Sequence, residues 1–529
     1  MLTVLPFIAL AQIALPAPPP QAPLPSPQPI RQIIESQEVR PLPGGLDTIP
    51  VFNSNSPELI QSDGILLSTF PPNGMEVPSA HLNYPLEGRF DVFAHHVARG
   101  LDADDNRTVY LGILAYNPTR QPIEITSLQG ATYLGQDAPY LDLPSYVANP
   151  LGTVFSGPGS RTVNDVLRGQ RHSYLPNSVV IPPRRPVMLL NVPIPLRRLT
   201  VPTDGTWIGG RVIPVPRPPE PEEPLDEEGI IEASDAADKA PESPPLLPIP
   251  DNRPIPSNGR SVLMSLDSNG PIYVASLAMY APETPDGNER VPTRREWVQL
   301  LRRANLAGPR DIAPTPPDAT FVSRFFYGRV SGVAQGTEWV AELTDTPDST
   351  DLTTPDPGEQ YSYVMSSVDR NTFGTGQIQS APMLARYPDT AFRAHGNYGI
   401  KYSLTLPLHN PTDDLQTVSL LFQTPLQNER LEDGLSFLSP PANRIFFRGT
   451  VRLEYEDDWK IPQTRYFHVV HRQGQQGEPL VRLRILPGDR RFVKFEMIYP
   501  PDATPPQVLT VRTEPSGDRR RRANTRNRL

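Results

Sequence analysis

The chain has 529 residues, 69 prolines, 35 glycines and no cysteine, and its formal net charge is −9. Proline at far above its usual share of about 5% argues against long helices and coiled coils, because it breaks helix interiors. The lack of cysteine excludes a disulfide framework and a thiolate metal site, and no apolar run is long enough for a membrane-spanning helix.

Residues 2–15, LTVLPFIALAQIAL, are apolar, and Ala9-Leu10-Ala11 before Gln12 has the small-x-small form of a signal peptidase site. The first basic residue is Arg31, so the positive stretch that ordinarily precedes such a segment is missing, which points to a true start upstream of Met1. The expectation is export to the periplasm or cell surface, with no transmembrane span. A proline-rich stretch runs over 214–256, and within it residues 218–242 carry ten acidic groups and the single Lys239. Such a segment buries too little apolar surface to offset its ordering entropy, so a disordered linker is expected. Residues 516–529 hold six arginines against Asp518.

Between these segments the hydrophobic period is two. Tyr402, Leu404, Leu406 and Leu408 alternate with polar neighbours, as do Val451, Leu453 and Tyr455, and Val493, Phe495, Met497 and Tyr499. This is the pattern of half-buried strands. Residues 108–116, TVYLGILAY, are apolar on both faces, as in a central strand. One helix is expected over 292–304, where Thr293 and Glu296 fit a capping box and Trp297, Leu300, Leu301 and Ala304 form an apolar stripe. The string YLGILAYNPT (Tyr110 to Thr119) is echoed by YSLTLPLHNPT (Tyr402 to Thr412), and Pro182–Pro195 is echoed by Pro487–Pro500.

The expected fold is therefore all-β: two antiparallel Ig-like β-sandwich domains with one short helix and disordered proline-rich segments. The expected order is a signal peptide over 1–11, a disordered leader over 12–38 and the first part of an N-terminal β-sandwich over 39–213. The acidic linker over 214–256 follows, then the rest of the N-terminal domain over 257–345. A loop over 346–360, a C-terminal sandwich over 361–513 and a disordered arginine-rich tail over 514–529 complete the chain.

Four strings carry a resemblance: VFNSNSPEL (Val51 to Leu59), HLNYPLEGRFDVFAHH (His81 to His96), AHGNYGIKYSLTLPL (Ala394 to Leu408) and YPPDATPPQVLTV (Tyr499 to Val511). They are similar to a family of exported cyanobacterial proteins known only as a domain of unknown function. The resemblance runs from about Val39 to Val511. It implies export and a cyanobacterial source, and it brings no activity, ligand or catalytic residue.

Candidate chemistry is sparse. His95 and His96 are adjacent on an expected strand and so face opposite ways. His81, Asp91 and His95 form a His-Asp-His metal or acid–base set if His81 folds back beside the strand; the plainer reading is hydrogen-bonded structural histidines. Asp102, Asp104 and Asn106 open like a calcium loop, but Arg107 replaces the needed glycine and Ile113 the bidentate glutamate. That excludes an EF-hand and leaves a simpler calcium loop or a polar hairpin. Glu454, Glu456, Asp457 and Asp458 lie beside Tyr455 and Trp459, as paired acids of a glycosidase do, or simply on a solvated face. The arginine tail suits an anionic polymer but lacks aromatics for base stacking, so nucleic acid is not an expected partner. No cofactor is expected, calcium apart.

The expected function is an exported, non-catalytic envelope protein with a structural or binding role, its partner an envelope polysaccharide or another envelope protein. The rivals are a carbohydrate-active enzyme using Asp/Glu pairs and a Ca/Zn-dependent adhesion module.

Overall fold

The computed structural model describes residues 29–173, 175–196, 255–320, 324–430 and 434–515. The expected signal peptide, nearly all of the acidic linker and the tail beyond 515 lie outside the described residues. The described residues are mostly β, 47% strand and 5% helix.

The first strands are β1 (Arg31–Glu35), β2 (Glu38–Arg40), β3 (Gly45–Leu46), β4 (Pro50–Ser54), β5 (Leu59–Ile60), β6 (Gly64–Ser68), β7 (Leu86–Arg99), β8 (Thr108–Tyr116), β9 (Ile123–Leu134) and β10 (Tyr146–Ala148). Helix α1 (Pro158–Leu167) precedes β11 (Ser178–Ile181), β12 (Pro186–Pro195), the long β13 (Ser257–Tyr280) and helix α2 (Arg294–Arg303). The second half holds β14 (Ser331–Gln335), β15 (Glu338–Glu342), β16 (Leu352–Thr353), β17 (Gln360–Met365), β18 (Ala381–Arg386), β19 (Arg393–Ala394) and β20 (Lys401–His409). It ends with β21 (Gln416–Gln423), β22 (Leu435–Ser439), β23 (Ile445–Glu456), β24 (Pro462–Arg472), β25 (Pro479–Ile485), β26 (Arg490–Ile498) and β27 (Gln507–Thr513).

Period-two patterning does what it should. Tyr402, Leu404, Leu406 and Leu408 of β20 turn into one core with Val451 and Leu453 of β23 and Val493, Phe495 and Met497 of β26. The opposing side of that core comes from Tyr361 and Tyr363 of β17, Val418 and Leu420 of β21, and Leu509 and Val511 of β27.

The two halves repeat one topology. Five strands run in the order β11-β9-β13-β7-β4 in the first half and β25-β21-β27-β17-β2 in the second. In each, the last strand runs parallel to its neighbour, β4 to β7 and β2 to β17. The facing sheet is built on an antiparallel pair, β8 with β12 and β20 with β26. The sheets are thus mixed rather than purely antiparallel. The echoed Asn-Pro-Thr turns are equivalent. Asn117 Nδ2 donates to Gln121 O (2.7 Å) and Ile181 O (2.9 Å), while Oδ1 accepts from Thr119 N and Oγ1 (both 2.8 Å). Asn410 Nδ2 donates to Asp414 O (2.8 Å) and Ile485 O (2.9 Å), while Oδ1 accepts from Thr412 N (3.0 Å) and Oγ1 (2.7 Å). Both asparagines are 0% exposed.

The halves are interleaved. The N-terminal strands serve the second half: β1 pairs with β22, β2 with β17 and β3 with β15. Strand β10 pairs with β24, and in return β14 and β18 extend the first half's sheet beyond β4. The expected leader over 12–38 therefore contains a strand, and strand pairing crosses the expected boundary near 345–361. Between the halves lies a shared apolar cluster: Phe93, Tyr133 and Leu263 from one side, Ile400 and Ile498 from the other, with Val163, Val166 and Leu167 of α1 among them.

Two α-helices are present among the described residues, not one. Helix α2 has the capping box at Thr293 and Glu296 and buries Trp297 and Leu301 against the outer face of the first half. Helix α1 starts after Gly157, with no side-chain cap, and is almost wholly buried. Its stability comes from packing rather than propensity.

Candidate functional site

The structure gives His81, Asp91 and His95 separate partners. His81 Nδ1 lies 2.8 Å from Ser68 Oγ, and burial lowers its ring to about 4. Asp91 pairs with Arg89 at 3.3 Å, and burial pushes its carboxyl up to about 6. His95 Nδ1 lies 2.7 Å from Ser261 Oγ. Asp91 and His95 share a face of β7, yet four residues along a strand is about 13 Å, too far to meet at one ion. Among the described residues no group of three or more His, Asp or Glu is placed to hold a metal.

In the 102–106 loop, Asp102 Oδ1 accepts from Asp104 N (2.9 Å), and Asn106 Nδ2 donates to Asp104 O (3.0 Å). The carboxylate this loop buries is Asp105, which Arg107 holds at 2.9 Å and keeps below the usual range.

His95 Nε2 also lies 3.9 Å from Glu58 Oε1, so Ser261, His95 and Glu58 have the composition of a hydrolase triad. Ser261 is 1% exposed, on the sheet face that packs under α1, and no substrate reaches it there.

Three of the four acids of β23 and its turn, Glu454, Asp457 and Asp458, are engaged as well. Glu454 is ion-paired with Arg452. Asp457 Oδ1 accepts from Trp459 N and Ile461 N (both 3.0 Å), and Oδ2 from Gln463 Nε2 (3.0 Å). Asp458 Oδ1 accepts from Arg484 N at 3.0 Å. These carboxylates fix the β23–β24 turn and join it to β25. On the same face of the neighbouring strand β26, Glu496 is 1% exposed between Arg452 (2.6 Å), Lys401 (2.9 Å) and Lys494 (3.0 Å). Burial alone would raise its carboxyl, but hydrogen bonds from the two lysines outweigh that and hold it at about 2.

What the turn presents to solvent is Trp459, 81% exposed. Beside it runs a groove of about 300 Å³ lined by Tyr455, Asp457, Asp458 and Arg465 and by the β25 segment 479–483. Ile461 lies in the same turn and is exposed, as are Leu486 and Phe492 beside the adjoining β25–β26 connection, which Lys460 ties in through Asp489 (3.1 Å).

A second concavity, about 190 Å³, sits at the junction of the halves. Its wall includes Asn55, Tyr327, Arg329, His395, Tyr398 and Thr504. No local spacing marks it in the sequence. The only trace is that three of the four resemblance strings meet there, through Asn55, through His395 and Tyr398, and through Thr504.

Residues 37–513 match the model of a family described as a protein of unknown function, DUF3370. The chain belongs to that family. The DUF3370 match covers every paired strand except β1, and both concavities lie inside it. No curated protein matches the chain.

Proposed function

We propose that this DUF3370 protein is an exported, non-catalytic envelope protein that binds a polysaccharide through the Trp459 surface. The observation that carries the reading is a tryptophan 81% exposed beside a groove whose acids are already bound to the protein's own backbone. An indole left in water at the end of a rigid hairpin is a stacking surface for the C–H face of a sugar ring. Carboxylates engaged as turn acceptors are poor general acids, which favours binding over hydrolysis. The apolar residues 2–15 support export. The resemblance supports a cyanobacterial source, and the repeated strand order supports two tandem Ig-like sandwiches.

Co-sedimentation of the purified protein with insoluble envelope polysaccharide, such as peptidoglycan sacculi, tests this. The protein should pellet with the polymer, and Trp459→Ala should cut the bound fraction at least tenfold. Equal binding by the variant, or none by the parent, would overturn it. Recovery from native cells only in the cytosol would overturn export.

A further inference from the structure

We propose that the junction pocket binds one uncharged sugar residue, between the acceptors of Asn55 and His395 and the rings of Tyr327 and Tyr398. Asn55 is 3% exposed, and its Oδ1 is buried in the pocket wall with no hydrogen-bond partner among the described residues. A buried acceptor left without a donor is costly, so the site calls for an O–H or N–H from outside the chain. His395 turns Nδ1 toward Ser380 Oγ (3.3 Å) and Asp369 Oδ2 (3.6 Å). With the ring proton on Nδ1, facing these oxygens, Nε2 is a second acceptor. The hydroxyls of the two tyrosines are tied to the backbone, Tyr327 to Asp369 O (2.6 Å) and Tyr398 to Ala503 O (2.9 Å), so they offer the pocket their rings.

Arg329 is ion-paired with Glu58, and burial lowers the His395 ring to about 4, so it is neutral at pH 7. An anion would find no uncompensated positive charge. A volume of about 190 Å³ is below the ~300–1,000 Å³ of sites for larger ligands, which suits a single ring. Two acceptors and aromatic walls together describe a hydroxylated ring with an apolar face. That this ring is a sugar rests on the polysaccharide reading above.

The test uses the full chain and saturation-transfer NMR with glucose, galactose and N-acetylglucosamine, followed by histidine ring spectra. At least one sugar should show transfer and shift the His395 resonances. Asn55→Leu should weaken it about tenfold. If Asn55→Leu fails to fold, the His395 shift in the unmodified protein decides. Transfer from none of the sugars, no His395 shift, or displacement of the sugar by acetate or phosphate would overturn the proposal. Polymer co-sedimentation without monosaccharide binding would refute the pocket alone. Monosaccharide binding without co-sedimentation would refute the Trp459 surface alone.

Discussion

Replacing Asn410 by alanine tests whether the Asn-Pro-Thr turn is a structural keystone. The side chain joins its own turn to the end of β25 through Ile485 O, at 2.9 Å, and closes the turn through Asp414 O and Thr412. Asp414 and Thr412 lie near solvent, so water can replace the lost bonds there. Ile485 is fully buried, and its carbonyl would lose this donor. A buried hydrogen bond lost with no water to replace it costs about 1–3 kcal/mol, and loosening of the turn adds about 1 kcal/mol, so the expected loss is about 2–4 kcal/mol. Asn410→Asp keeps the acceptor but loses both donors, setting an oxygen against Ile485 O, and should cost at least as much at pH 7. Urea unfolding followed by circular dichroism measures both. The equivalence of the halves predicts the same loss for Asn117→Ala and an additive double variant, because the two sites share no partner. A loss under about 0.5 kcal/mol at either site, or a benign Asn410→Asp, would refute the reasoning.

Glu496 has a carboxyl held at about 2 in the fold against an ordinary 4.5, so its stabilisation is full above pH 4.5 and is lost as pH falls toward 2. Glu496→Gln should lower stability by about 3 kcal/mol at pH 7 and flatten that acid limb in a pH series of melts. His81, His96, His395 and His468 are lowered to about 4 by burial, and His471 to about 3. These rings should stay neutral to pH 5 in ring-nitrogen NMR, and stability should decline as pH drops from 6.5 toward 4, because only the unfolded chain takes up their protons there. Gly112→Ala would put a methyl 2.8 Å from the Trp297 indole, with an expected cost of about 1–3 kcal/mol and a changed near-UV spectrum.

Local chemistry was legible in the sequence. The alternation at Tyr402, Leu404, Leu406 and Leu408 and the Thr293–Glu296 capping box each act within a few residues, and each produces the element expected of it. The echo around Asn117 and Asn410 was legible too, because a buried amide that bridges a turn needs the same side chains in both places. Helix α1 was not legible. Its sequence, PGSRTVNDVL, is poor in strong helix formers, and its cause is burial between the halves. Sharing a strand face is not proximity, as the spacing of Asp91 and His95 along β7 shows. The pairing of β2 with β17 leaves no local trace, since its partners are more than three hundred residues apart. The same is true of a pocket assembled from Asn55, His395 and Thr504.

The placement of β1, β2 and β3 fixes an order of events during synthesis. Among the described strands these leave the ribosome before the rest, and β15, β17 and β22, with which they pair, come roughly three to four hundred residues later. Until then three short edge-forming segments wait without partners, at the mercy of any other exposed strand. The molecule therefore closes like a belt, its first described strands buckled into the half made later, and a fragment beginning at β4 would lack the buckle even though every other described strand was present.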